Sequence, residues 1–197
     1  MEIMMNLRFC LLLMASVSLG GCSEAPSFCL GYDCPVYTVV NTYESFEERL
    51  YEPSQWITTD IASTRASDVQ KGFWKLYYFM QGKNKDGKKI TSRPVVVSVN
   101  DASENGVSIS FFISAGIVLP EPNDETIKKK DLPASRVYVR VFGGIATEDD
   151  AIENVQKLKK DLQVAGKPFD DTRFEAAGYD ALWKLVNRHN EVWVYAA

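Results

Sequence analysis

His189, inside the stretch NRHNE, is the only histidine of the 197-residue chain, so every chemistry that needs an imidazole converges on one residue. A Ser–His–acid or Cys–His nucleophile, a histidine general base or a histidine metal ligand would all have to use it. Its setting, a polar turn between two apolar runs, predicts an exposed loop side chain. Acids are paired at Glu47–Glu48, Asp149–Asp150 and Asp170–Asp171. Neighbours in sequence suit surface turns and helix starts better than two carboxyls facing each other across a cleft. No G-x-S-x-G, H-E-x-x-H, P-loop or dinucleotide fingerprint occurs. The expectation is a binding protein, not an enzyme.

The four cysteines are Cys10, Cys22, Cys29 and Cys34, and their spacing lacks the paired Cys/His clusters of a zinc site. Arg8 precedes an apolar run from Phe9 to Leu19 that ends in Gly20 and Gly21. This is a secretory leader pattern, too short to span a bilayer, and removal of residues 1–21 is expected. Cys10 leaves with it, and of the remaining three, Cys29 and Cys34 in CLGYDC are the expected bridge of an exported protein. LGGC also resembles a lipoprotein box, so free secretion and lipid anchoring through Cys22 both stay open.

The chemistry that remains belongs to flat rings. Phe73, Trp74, Tyr77, Tyr78 and Phe79 crowd one segment, with Trp56, Trp183 and Trp193 elsewhere. They cover more of a helical wheel than one core-facing stripe needs, which suits a groove for a flat apolar ligand. A net charge of −4 and a pI near 5.1 argue against a broad grip on nucleic acid or anionic lipid. Lys128, Lys129 and Lys130, beside Asp131, read as a solvated loop.

Several elements must position these residues. PVYTVVNTY and FEERLYEPSQWITTDI alternate as strands. ASDVQKGFWKLYYFMQGKN changes period, with Val69, Phe73, Leu76, Tyr77 and Met80 at helical spacing. RPVVVSV and GVSISFFIS read as strands, followed by a Pro-punctuated loop with a short edge strand around 126–129, then the strand RVYVRVFGGIA. Thr147 and three acids open a second helix whose stripe is Ile152, Val155, Leu158 and Leu162, closed by Gly166. FEAAGYD and NEVWVYA finish the chain as strands. The two halves share one element order, a weak internal duplication. The predicted fold is α+β: a mixed sheet curled toward a barrel, with both helices on its outer face.

ERLYEPSQWITT, GFWKLYYFMQGKN, RVYVRVFGG and AGYDALWKLVNRHNEVW together resemble the SOUL haem-binding family, from about Tyr37 to Trp193. The resemblance implies a distorted β-barrel of two pseudo-repeated halves flanked by two helices, similar to bacterial small-molecule effector domains. It also implies binding of haem or another tetrapyrrole, with no catalytic centre. The implied organisation is a signal peptide at 1–21, a cysteine-containing segment at 22–35 and the SOUL domain at 36–197. The position of the axial histidine proposed in one branch falls at Leu50, which cannot ligate iron. In the other branch haem lies against the first helix; its basic positions fall at Gln70 and Tyr78, a nearby methionine becomes Phe73, and the basic residue before the last hairpin turn is kept as Lys184. His189 stands where the family carries Arg or Asn. The implied site is therefore Phe73, Trp74, Tyr77 and Tyr78, with Lys184, Lys71 and Lys75 countering carboxylates and no metal ligand. The alternative is a protein-interaction module using the second helix, through a segment corresponding to Leu158–Asp171.

Overall fold

The computed structural model describes residues 26–197 apart from 92, 104–105, 181–183 and 185. The leader with Cys10 and Cys22, and also Trp183, lie outside the described residues. After a single 3-10 turn, Ser27–Cys29, the elements run β1 Tyr37–Thr42, β2 Glu47–Tyr51, β3 Ser54–Asp60, α1 Ala66–Met80, β4 Val95–Asn100, β5 Val107–Ile113, β6 Lys128–Leu132, β7 Ser135–Phe142, α2 Glu148–Val164, β8 Arg173–Gly178 and β9 Asn190–Tyr195. The short edge strand expected around 126–129 is present as β6, shifted to begin at Lys128, so the three lysines read as a solvated loop stand instead in an edge strand hydrogen-bonded along β3.

One nine-stranded sheet takes the order β1-β2-β7-β9-β8-β4-β5-β3-β6. Every paired neighbour is antiparallel, which corrects the expected mixed sheet. The reason is topological. A strand–helix–strand unit makes β3 and β4 parallel, but β5 inserts between them and pairs with both. In the second half β9 inserts between β7 and β8 in the same way. The expected duplication is thus present as two β-α-β-β units that meet at the β4–β8 seam. Even the helix ends repeat. Gly82 and Gly166 take positive φ, +96° and +64°, and in each case the next residue's N–H reaches back five residues, Lys83 to Tyr78 and Lys167 to Leu162.

Strand alternation sorts the side chains onto two faces. On the concave face Tyr51, Trp56, Phe112, Val137, Trp193 and Tyr195 form one core shared by both halves. On the convex face Ile57, Ile109, Phe111 and Ile113 pack under α1, while Tyr138, Val192 and Val194 pack under α2. A Cβ on Gly72 would sit 2.6 Å from side-chain carbons of Ile61 and Ile109, so its missing side chain lets α1 ride close on β5. The buried face of α1 is Gly72, Leu76, Phe79 and Met80. It is rotated from the predicted stripe, which leaves Phe73 and Tyr77 half-buried on the helix flank. Thr147 opens α2 through a reciprocal capping box with Asp150.

The segment before β1 is part of the core. Cys29 and Cys34 form the expected disulfide, with Cα atoms 6.2 Å apart, and both sulfurs pack into the concave cluster beside Phe28 and Tyr179.

Candidate functional site

α1 displays a continuous arc of rings. Phe73 packs edge-on to Trp74 with centroids 5.3 Å apart, stacks with Tyr77 at 5.9 Å and meets Phe111 of β5 at 5.4 Å. Trp74 stacks with Tyr78 at 5.8 Å. Phe73 and Tyr77 are half-buried, whereas Trp74 and Tyr78 are 37% and 44% exposed. The expected aromatic group is therefore assembled, graded from core to solvent.

Beside this arc lies ground that sequence reasoning missed. α1 rests chiefly on β3 and β5, and α2 chiefly on β7 and β9, so the convex side of the β4–β8 seam runs between them. Register sets Phe111, Val95 and Gly178 in one cross-strand row, with Val97 and Ala176 in the next-but-one row on the same face. A Cβ on Gly178 would meet nothing within 4 Å, so the surface there is open, floored by apolar groups and walled by Phe73 over Phe111. The sequence signal was the unbroken VVV run facing the small residues AAG, a strand pair apolar on both faces but without bulk on one.

The cations divide. The chain passes from Gly178 through Tyr179 and Asp180 to Lys184, whose Nζ lies 2.5 Å from the Asp180 carboxylate. Lys184 thus belongs to the same end of the seam, although its charge is already countered. Lys71 pairs with Asp68 at 3.2 Å and is otherwise exposed. Lys75 donates to Thr126 at 2.8 Å, on the α1 flank that meets the 119–127 loop. Two further cations were not anticipated. The Lys83 ammonium sits 4.0 Å over the Tyr78 ring, and Arg93 donates to the Tyr179 carbonyl at 2.8 Å.

His189 is not the exposed loop residue expected. Its Nε2 is 2.8 Å from Glu191, and its ring stacks on Phe28 with centroids 3.9 Å apart. Glu191, 0% exposed, also accepts from Arg49 at 3.0 Å, Tyr179 at 2.9 Å and Trp193 at 2.7 Å. Burial alone would raise its pKa, but the His189 hydrogen bond, the Arg49 charge and the Trp193 N–H outweigh it and hold the carboxyl below the usual range. A turn histidine is drawn inward because this buried anion needs donors.

Glu48 also departs from expectation. It faces the convex side of β2, 2% exposed, where Arg136, Asn41 at 2.9 Å and Lys167 at 3.1 Å all reach its carboxylate. Desolvation raises its pKa, and these partners more than offset that, bringing it to about 2 from an ordinary 4.5. A depressed folded-state pKa stabilises above the unfolded value and loses that contribution as pH falls toward the folded one. Acid titration by circular dichroism is expected to show stability declining from pH about 4.5 to about 2. Glu48→Gln should lower stability at neutral pH and flatten that limb; an unaltered limb refutes the assignment.

Leu50 is exposed on the convex side of β2, five strand positions from β5, and pairs with Arg136 and Thr38. Leu158 and Leu162, the apolar anchors of the second helix, are 0% exposed under α2. No group of three or more His, Cys, Asp or Glu side chains suited to a metal occurs among the described residues, and no helix among them is long and apolar enough to cross a membrane.

The profile of the family described as SOUL heme-binding protein matches residues 32–195. Human heme-binding protein 2 is 34% identical over 158 residues, which cover 76% of this chain and 77% of that protein. Among solved structures, the C-terminal domain of EcmrR superposes with a TM-score of 0.55 at 11% identity, covering 82% of this chain and 98% of that one. A hydrolase from Listeria innocua gives a TM-score of 0.55 at 10% identity, covering 80% of this chain and 94% of that one. At such identities the two structural likenesses show the fold alone.

Proposed function

The chain belongs to the SOUL heme-binding protein family, and from that premise we propose that it is a non-enzymatic carrier or scavenger of haem or a related tetrapyrrole. The observation that carries this reading is the open apolar floor over Gly178, walled by the rings of α1. A planar macrocycle laid there would cover Val95 and Val97 and lean on Phe73 and Tyr77. Its other edge would extend toward Trp74 and Tyr78. Its propionates would face Lys184 and Arg93 at the seam end, or Lys71, Lys75 and Lys83 along the helix. These cations are partly hydrated, and each contact contributes about 0–1 kcal/mol. Affinity therefore rests on apolar burial at about 25 cal/mol per Å².

The same site lacks an iron donor among imidazoles, thiolates and thioethers of the described residues. The His189 Nε2 is committed to Glu191, Cys29 and Cys34 are bridged, and Met80 is inside the core. Haem titration followed by Soret absorbance is expected to saturate at low micromolar concentration, and His189→Gln should leave both the affinity and the band position unchanged. Linear, unsaturable uptake, or a Soret band that depends on His189, defeats the reading.

The proposal includes export. The leader pattern at 1–21 supports it, as does a disulfide, which persists in oxidising compartments. The mature protein is then free or, from a bacterial source, lipid-anchored through Cys22. Mass spectrometry of the mature N-terminus separates a plain start from a diacylglyceryl-cysteine, and retention of residues 1–21 would rule out both.

A further inference from the structure

The concave face changes character along its length. Its upper part is the shared apolar core, but one row of the register lower it turns polar, placing Asp60, Ser108, Ser98 and Glu175 side by side across four strands. These residues, with Lys130 of β6 and Arg173 of β8, line a cavity of about 280 Å³. It lies on the opposite side of the sheet from the α1 aromatics.

Charge in this cavity is only partly balanced from within. Asp60 has Lys128 at 3.6 Å, and Arg173 has Asp170 at 2.9 Å while lying over the Tyr195 ring. Glu175 is 6% exposed and accepts from the Ser98 hydroxyl at 3.0 Å and from the Tyr195 phenol. Both of those donors are neutral. Among the described residues Glu175 makes no ion pair, and neither does Lys130 across the cavity. A buried carboxylate held only by hydroxyls favours a cationic guest group, and the Lys130 ammonium favours an anionic one.

We propose that this cavity is a second ligand site, for a small zwitterion whose ammonium meets Glu175 and whose carboxylate meets Lys130. Glu175 on β8 and Lys130 on β6, four strand steps apart in the sheet, both line this one cavity. The ligand therefore carries its charges at its two ends, as a short peptide or an ω-amino acid does, and not on one carbon. Ser98, Ser108 and Asn100 supply hydroxyl and amide partners for the polar middle of a peptide.

The test uses the whole mature protein, titrated with ε-aminocaproate and with alanyl-alanine and followed by calorimetry and backbone-amide NMR. Both probes are expected to bind saturably, with shifts centred on Ser98, Ser108 and Glu175. Glycine, caproate and hexylamine should each bind about tenfold more weakly or worse. Glu175→Gln keeps the acceptor for Ser98, and Lys130→Met alters a half-exposed strand residue, so both variants should fold. Each should weaken the probes about tenfold or more and leave haem titration unchanged. Absence of saturable shifts at millimolar probe, shifts centred elsewhere, or full affinity in both variants overturns the site.

Discussion

Arg49→Met is expected to destabilise the protein by about 3–5 kcal/mol, the range for removing one member of a buried ion pair. Arg49 is 2% exposed and its guanidinium is shared among Glu191, the Tyr51 hydroxyl at 3.1 Å and Glu47 at 2.8 Å, with the Tyr37 ring 4.3 Å beneath it. Methionine replaces much of the volume but leaves Glu191 as a fully buried carboxylate that has lost its permanent cation. Only the hydrogen bonds from Tyr179, Trp193 and His189 are then left to hold that buried carboxylate. For a domain of this size each kcal/mol corresponds to about 2–4 °C, so thermal unfolding should fall by about 6–20 °C. An exposed pair offers the control: Lys157 and Glu153, at 2.6 Å on the surface of α2, should matter by about 0.5 kcal/mol or less. A loss of that small size for Arg49→Met would mean that the Glu191 network is not a stabilising centre.

The second large effect concerns the proposed haem site. Gly178→Leu should weaken haem about 100-fold, or about 2.7 kcal/mol, with thermal stability unchanged or slightly higher. Gly178 has no positive φ, a Cβ there meets nothing within 4 Å, and replacing glycine within a strand removes an entropic cost to folding. Leucine would therefore be accepted by the fold while occupying the space assigned to the macrocycle. Separating folding from binding in this way makes the result decisive. Native affinity in Gly178→Leu moves the macrocycle off the seam, and an unfolded variant contradicts the open space itself. Neither Glu175→Gln nor Lys130→Met should mimic this loss, since those residues line the other face of the sheet.

The ring-rich helix was legible because its chemistry is local. GFWKLYYFM shows helical period and excess aromatic arc in nine consecutive residues, and the structure puts Phe73, Trp74, Tyr77 and Tyr78 where that arc predicts. Its phase is less evident in the sequence. Gly72 and Phe79 share the buried face, because a close approach to Ile109 favours glycine over a bulky side chain, and no hydropathy pattern anticipates that. The Cys29–Cys34 bridge was legible from spacing, whereas its burial in the concave core depends on Trp193 and Tyr195, far along the chain.

By itself the sequence determined the elements, their order and the two like halves, since each of these is written in short-range period and turn residues. Tertiary structure alone decided which strands became neighbours. Inserting β5 and β9 within their own units made the sheet wholly antiparallel and brought β4 against β8, creating an open apolar seam on one face and a polar cavity on the other. It also decided the states of His189 and Glu48. A side chain in a polar stretch is exposed by default, but Glu48 answers to Arg136, 88 residues away, and His189 stacks on Phe28 and bonds to Glu191, a carboxylate paired with Arg49, 142 residues from it. Pairings of that range are set by how the sheet closes, and local sequence carries no term for them.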